Sequence, residues 1–371
     1  MKLLVAGGGT GGHIFPGIAV AEELTTRAPN NEVVFVGTQQ GMEAKVVPQA
    51  GFRLRTIPSR GLKRVGFWKK LWGLLLLPWS FLAAFRVLWA EKPDFVLGVG
   101  GYSSGPLVLT AVFLRIPTAI QEQNAAAGVT NRILGRFVKA VFLAFEQAAK
   151  DFPAHKVHVV GNPVRRKLFD NYLRSSSPHP GFNILVFGGS QGARSINLRM
   201  KEALAFLEDL KGELHFVHQT GQNDLTQVQA AYAERRFSAE VLPFINDMSA
   251  VYARSELIIC RAGAVTLAEL TVCKKPSILI PFPYAADDHQ TKNAKAMEEA
   301  GAAVVFLESE LTGERLAAEI RALLREPQRR LQMERQAGLM GRPEAAKELI
   351  DACTALAYEK KKPLTLEGGR G

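Results

Sequence analysis

The chain has 371 residues, 47% of them hydrophobic and 22% charged, which is enough apolar content for two folded cores and rules out disorder over its bulk. With 46 Lys and Arg against 35 Asp and Glu the net charge is +11, pointing to an anionic partner: nucleic acid, a phosphorylated ligand or an acidic membrane face. Three cysteines, Cys260, Cys273 and Cys353, without C-x-x-C spacing argue against a disulfide framework and a structural zinc site, and for a reducing compartment.

The apolar run at residues 1–6 is too short for a signal peptide, so secretion is not expected. It leads into Gly7-Gly8-Gly9-Thr10-Gly11-Gly12-His13, which matches G-x-G-x-x-G between a strand and a helix. A dinucleotide site would also need a carboxylate at the end of the next strand. That strand, residues 33–36, continues Gly37-Thr38-Gln39-Gln40 with no acid before Glu43. Close backbone approach and helix-start amides remain, suited to an anion or a sugar hydroxyl. His13 stands at this helix start, either as a catalytic imidazole or as a capping or packing side chain.

Residues 71–90 are about as long as a membrane span, but Pro78 and Arg86 interrupt them, and a span would split one sheet across the bilayer. From Arg60 to Lys92 there are seven basic residues against the single acid Glu91, together with all four tryptophans of the chain. This composition suits an interfacial element on an anionic leaflet, or else a helix buried against the sheet. Arg132, Arg136 and Lys139 would widen the basic patch.

Further apolar runs at 95–99, 184–187 and 257–259, each followed by glycine or a helical-period stretch, predict βαβ units with parallel sheets. The glycine junction recurs at Gly188-Gly189-Ser190-Gln191-Gly192, half a chain after the first, and suits a phosphate although it lacks the lysine of a P-loop. Two Rossmann-like domains in tandem follow: residues 1–162 and 163–342, with a helix at about 343–358 returning to the first, and a solvated tail from Glu359. The polar stretch 175–181 lies beside the boundary. A third junction, Cys260-Arg261-Ala262-Gly263, opens a helix with Glu269 one turn in, placed to bind a cis-diol or to complement the helix dipole. Metal chemistry finds no support: His215 and His218 fall on opposite faces of a strand, and Asp287-Asp288 reads as a loop. No G-x-S-x-G elbow marks a hydrolase.

Together these junctions resemble the GT-B glycosyltransferases, and within them the enzymes that move N-acetylglucosamine from UDP-N-acetylglucosamine to undecaprenyl-pyrophosphoryl-N-acetylmuramyl-pentapeptide (lipid I). The resemblance runs through Gly8-Gly9-Thr10-Gly11-Gly12-His13, Gly100-Gly101-Tyr102-Ser103-Ser104-Gly105-Pro106, Glu122-Gln123-Asn124 and Gly161-Asn162-Pro163-Val164-Arg165. It continues through Gly188-Gly189-Ser190-Gln191-Gly192-Ala193, Phe244-Ile245-Asn246-Asp247-Met248, Arg261-Ala262-Gly263-Ala264-Val265-Thr266 with Glu269, and His289-Gln290 with Asn293-Ala294. It implies two Rossmann-like domains with parallel sheets facing a central cleft. Thr10, Gly11, Gly12, Asn124 and Arg165 would line the donor-sugar and acceptor side. Ser190 would hold the diphosphate, the Ile245 backbone would read uracil and Glu269 would bind ribose, while Ala264, Val265, Thr266, Leu267, Ala268 and Gln290 complete the sugar-nucleotide pocket. Gly100, Gly101, Tyr102, Ser103, Ser104 and Gly105 would face the acceptor pyrophosphate. His13 is the expected base of an inverting transfer that uses neither metal nor cofactor, with domain closure excluding water.

The expected partners are therefore UDP-N-acetylglucosamine, lipid I, the anionic cytoplasmic leaflet on which the protein would sit peripherally, and cell-wall or division machinery. A glycolipid transferase of the same fold with another lipid acceptor is the alternative, disfavoured by the 100–106 loop and Glu122-Gln123-Asn124. An oxidoreductase is disfavoured by the missing acid, and a non-catalytic nucleotide-binding module by the set His13, Glu269 and Gln290. Nucleic acid is not expected, because the basic residues gather with tryptophan and leucine rather than along a groove-reading helix.

Overall fold

The computed structural model describes residues 1–59, 76–174 and 181–359. The chain divides into two compact units: the first is built from Met1–Gln123, Ala127–Arg165 and Glu344–Gly371, the second from Asn124–Ala126 and Arg166–Pro343.

The first unit carries seven strands: β1 (Lys2–Gly7), β2 (Glu32–Gly37), β3 (Arg53–Thr56), β4 (Phe95–Gly100), β5 (Thr118–Glu122), β6 (Ala140–Leu143) and β7 (Val157–Val159). All pair in parallel, in the order β3-β2-β1-β4-β5-β6-β7. A parallel sheet is covered on both faces, which is why β1 reads as an unbroken apolar run. Leu3 and Val5 pack on Ile14, Ile18 and Leu24 of the helix Gly11–Arg27 and on Leu349, Ile350 and Cys353 of the helix Ala345–Glu359. Leu4 and Ala6 face the other way, onto Ala84 and Leu88 of the helix Leu77–Glu91 and Leu107 and Val108 of the helix Ser104–Phe113.

The second unit repeats the plan with β8 (Phe182–Phe187), β9 (Leu214–Gln219), β10 (Ser238–Leu242), β11 (Leu257–Cys260), β12 (Ser277–Leu279) and β13 (Ala303–Val305), ordered β10-β9-β8-β11-β12-β13 and parallel throughout. In each sheet the strand order reverses once, between β1 and β4 and between β8 and β11. The crevice at such a reversal, outside the carboxyl ends of the strands, is where open α/β sheets take ligands. The turns leaving β1, β4, β8 and β11 each carry glycine.

Of the basic, Trp-rich stretch 60–92, residues 60–75 lie outside the described residues, as do 175–180 and the tail from 360. The remainder folds as the helix Leu77–Glu91. It buries Ser80, Ala84, Leu88 and Glu91 and leaves Trp79, Leu82, Phe85 and Trp89 exposed, so its outward stripe is apolar. Among the described residues no helix is long and apolar enough to cross a membrane.

Candidate active site

The turn after β1 is held by a carboxylate. Glu43, fully buried at the start of the helix Glu43–Gln49, accepts the Gly9 N–H through Oε2 and both the Thr38 N–H and Thr38 Oγ1 through Oε1, each at 2.8 Å. A Cβ on Gly8, Gly37 or Gly41 would collide with this carboxylate, so the glycines there make room for it. Burial alone would raise the Glu43 carboxyl, but the hydrogen bonds from Gly9 and Thr38 outweigh it and hold the group below its ordinary range.

From this turn the helix Gly11–Arg27 starts at Thr10 and carries His13 in its first turn. His13 Nδ1 lies 3.2 Å from Thr10 Oγ1 and 3.3 Å from the Gly8 carbonyl oxygen. A carbonyl only accepts, so in a neutral ring the contact with Gly8 favours the tautomer that carries its proton on Nδ1. The ring rests on the second glycine turn. A Cβ on Gly100 would sit 2.8 Å from His13 Cδ2, and one on Gly101 would strike the Gly8 carbonyl. Both glycines have φ near +90°, and the Gly8 N–H donates to the Gly100 carbonyl at 3.3 Å. Only glycine permits this backbone-on-backbone packing.

Tyr102 is exposed and its carbonyl accepts from Ser59 Oγ at 2.9 Å. Behind it, at the start of the helix Ser104–Phe113, the Ser103 and Ser104 hydroxyls are buried with no hydrogen-bond partner among the described residues. Glu122 and Gln123 turn inward. Glu122 Oε2 accepts from the Gly128 N–H and Asn131 Nδ2, and Gln123 Nε2 donates to the Val99 carbonyl at 2.8 Å.

In the second unit the turn after β8 is held from the opposite polarity. Gln219, buried at the end of β9, donates from Nε2 to the Gly189 carbonyl at 2.8 Å and accepts the Ile245 N–H on Oε1 at 2.8 Å. Ser190 is exposed at the tip of the turn. Gly192, at φ +74, packs so closely on the Thr220 carbonyl that a Cβ would collide with it. The turn after β11 opens the helix Ala264–Val272. Arg261 is turned away from that opening, donating to the Ile280 and Pro281 carbonyls at 3.0 and 3.1 Å and pairing with Glu308 at 2.6 Å.

Glu269 accepts from the buried Tyr252 hydroxyl at 2.9 Å on Oε2. Burial pushes its carboxyl up to about 7, against the opposing effect of that hydrogen bond. Gln290 Oε1 accepts the Phe282 N–H at 3.0 Å, which directs its Nε2 donor elsewhere. Asn293 accepts the Ala125 N–H at 2.8 Å and donates to Asn124 Oδ1 at 3.1 Å and to the Ala262 carbonyl at 3.3 Å, fixing Asn124 as part of the second unit.

Thr10, Gly11, Gly12, His13 and the 100–105 turn thus assemble within the first unit, and Asn124, Ser190, Ile245, the residues 264–269 and Gln290 within the second. Arg165 belongs to the first unit, where its guanidinium pairs with Glu22 at 2.6 Å. The Ile245 N–H is committed to Gln219, so the carbonyl is the group that residue has for a base edge. His215 bonds Ser238 while His218 is buried between Tyr232 and Asn197, on the two faces of β9 as their spacing requires. Sequence reasoning missed Glu43, Gln219 and Tyr252 as supports of the site, because each acts on a residue far away in the chain.

The chain matches the glycosyltransferase family 28 N-terminal domain over residues 3–143 and the glycosyltransferase family 28 C-terminal domain over residues 183–349. It is 60% identical to the UDP-N-acetylglucosamine–N-acetylmuramyl-(pentapeptide) pyrophosphoryl-undecaprenol N-acetylglucosamine transferase of Myxococcus xanthus, over 98% of this chain and 95% of that one. It is 58% identical to the protein of the same name from Anaeromyxobacter sp. strain K, over 97% of this chain and 94% of the relative. Among solved structures it is similar to Acinetobacter baumannii MurG, with a TM-score of 0.80 and 33% identity, covering 95% of this chain and 99% of that one. The two parallel-sheet units are those of the GT-B fold.

Proposed function

The chain belongs to glycosyltransferase family 28, and from that premise and the two sites we infer that it shares the reaction of its named relatives. It transfers N-acetylglucosamine from UDP-N-acetylglucosamine to lipid I, giving lipid II and UDP in peptidoglycan synthesis. One observation carries this reading: each sheet presents, at its strand-order reversal, one of the two parts the reaction needs. The first unit offers a helix-start imidazole whose Nδ1 faces the Gly8 carbonyl. The second offers glycine and helix-start turns with a carboxylate one turn in.

The second unit holds the donor. Ser190 and the amides opening the helix Ala264–Val272 take the diphosphate and its leaving charge, so no metal is required for this step. The Ile245 carbonyl accepts the uracil N3–H, and cytosine, which has an acceptor there, is rejected. Glu269 takes the ribose diol. Asn124, Gln290 and residues 264–268 complete the sugar pocket. The first unit holds the acceptor, with Thr10, Gly11, Gly12 and Arg165 along its approach. The turn Gly100, Gly101, Tyr102, Ser103, Ser104 and Gly105 faces the pyrophosphate, with Tyr102 exposed on it. The muramyl 4-hydroxyl attacks the anomeric carbon as the bond to UDP breaks, its proton passes to His13 Nε2, and the α-linkage becomes β.

The acceptor is a polyprenyl lipid, and the first unit has a surface suited to it. The helix Leu77–Glu91 and the segments around residues 113 and 133–137 expose Trp79, Phe85, Trp89, Phe113, Ile133 and Phe137. Arg86, Arg132 and Arg136 stand among them. This face docks on the anionic cytoplasmic leaflet, where cell-wall and division proteins would meet it.

The test is incubation with radiolabelled UDP-N-acetylglucosamine, a short-chain lipid I analogue and EDTA. Label should pass to the lipid with UDP released. Donor binding without transfer would overturn the acceptor assignment, and loss of transfer on chelation would overturn metal independence.

A further inference from the structure

In a dinucleotide-binding fold the glycine turn after the first strand receives a pyrophosphate on its amides, and an acid from the second strand receives ribose. Here the acid arrives seven residues too late for ribose, on the next helix, and its carboxylate points inward to the Gly9 N–H. Three glycines, Gly8, Gly37 and Gly41, are spaced so that a side chain on any of them would overlap it.

We propose that Glu43 is an internal anion that fills the phosphate seat of this turn and, through Gly9 and Thr10, positions His13. The inference rests on His13 as the base. The connection is short. Glu43 binds the amide of Gly9, the next residue Thr10 starts the helix and touches His13 Nδ1, and the adjoining Gly8 carbonyl faces the same ring nitrogen. Gly8 also donates to Gly100, so the same anchor sets the turn beneath the imidazole. A buried carboxylate in this seat repels a second anion, which leaves the turn to the neutral hydroxyl of an acceptor sugar.

Glu43→Gln keeps the volume and an acceptor for Thr38 but sets a carboxamide N–H against the Gly9 N–H. It should lower kcat by about tenfold to a hundredfold while KM for UDP-N-acetylglucosamine stays within about twofold. Introduced into His13→Ala it should cost nothing further, because a residue acting through His13 has nothing left to position. Additive losses, or a matching rise in donor KM, would overturn the proposal. If Glu43→Gln does not fold, Thr38→Val removes one donor to the same carboxylate. It should lower kcat about twofold to fivefold with the same dependence on His13, and its silence would overturn the proposal. A silent His13→Ala sinks the base assignment itself, whereas an impaired His13→Ala beside a silent Glu43→Gln sinks only the present inference.

Discussion

The turns after β1 and β8 share an origin, a parallel strand running through glycines into a helix, and differ in what fastens them. The first is fastened by its amide to a carboxylate, Glu43 on Gly9, and the second by its carbonyl to a carboxamide, Gln219 on Gly189. An amide given to an internal anion is withdrawn from ligands. A carbonyl given to a neutral donor leaves the amides of its turn for a ligand. On the proposed assignment, one supersecondary unit would therefore yield a base-presenting turn in one half and an anion-receiving turn in the other, according to the polarity of a single buried side chain.

The strongest test of that contrast is His13→Ala, expected to reduce turnover about a hundredfold to ten-thousandfold in the transfer assay with UDP affinity unchanged. Equal losses in both would make the first turn a binding element like the second. Gln219→Glu puts the first turn's kind of anchor under the second. Set against a carbonyl and beside a diphosphate, it should weaken UDP binding about a hundredfold by calorimetry, and more than Gln219→Leu does. Gln219→Leu should also narrow the preference for UDP over CDP, because it releases the Ile245 N–H.

A smaller effect concerns pH. With the Glu269 carboxyl pushed up to about 7 by burial, the ionised form, which is the one proposed to accept the ribose diol, is a minority at pH 6 and the majority at pH 8. UDP should bind about tenfold more weakly at pH 6 than at pH 8, and Glu269→Gln should abolish the dependence. The ligand-free protein should show the converse. The fold favours the protonated acid, so this group's contribution to stability is complete below about pH 4.3 and is lost as pH rises towards 7. Glu43, held low, acts in the opposite sense: its contribution is present above the ordinary carboxylate range and is lost on acidification. Chemical denaturation at pH 4, 5.5 and 7.5 would separate the two slopes. A change of the same order lies outside both turns. Trp79→Ser with Trp89→Ser should weaken binding to anionic vesicles about tenfold and leave transfer to a soluble acceptor intact, and a loss of soluble activity would tie that helix to the turns.

Much of this was legible in the sequence. Unbroken apolar runs ending in glycine identify strands buried on both faces, and glycines at strand ends identify turns that the fold brings to the two order reversals. Strands β3, β5, β6, β7, β10, β12 and β13 were not identified; β3, Arg53-Leu54-Arg55-Thr56, is an edge strand whose arginines pair with Glu91 of a later helix, and the others are short. Glu43 read as an absent ribose ligand and is present as an anchor. Gln219 and Tyr252 gave no signal at all. Their work is done by a hydrogen bond to a residue tens of positions or a strand away, and no local periodicity encodes such a pairing.

The helix Ala345–Glu359 completes the core of the first unit, with Leu349, Ile350 and Cys353 against Leu3 and Val5, and Arg27 bound to Asp351 at 2.5 Å. On the ribosome, the half begun first is therefore finished last. The main body of the second unit, continuous from Arg166 to Pro343, has left the tunnel before the first unit's sheet receives its last covering helix. Until then one face of that sheet is incompletely covered, and a nascent chain stalled near residue 343 would expose apolar surface in its N-terminal half while its C-terminal half is complete in sequence.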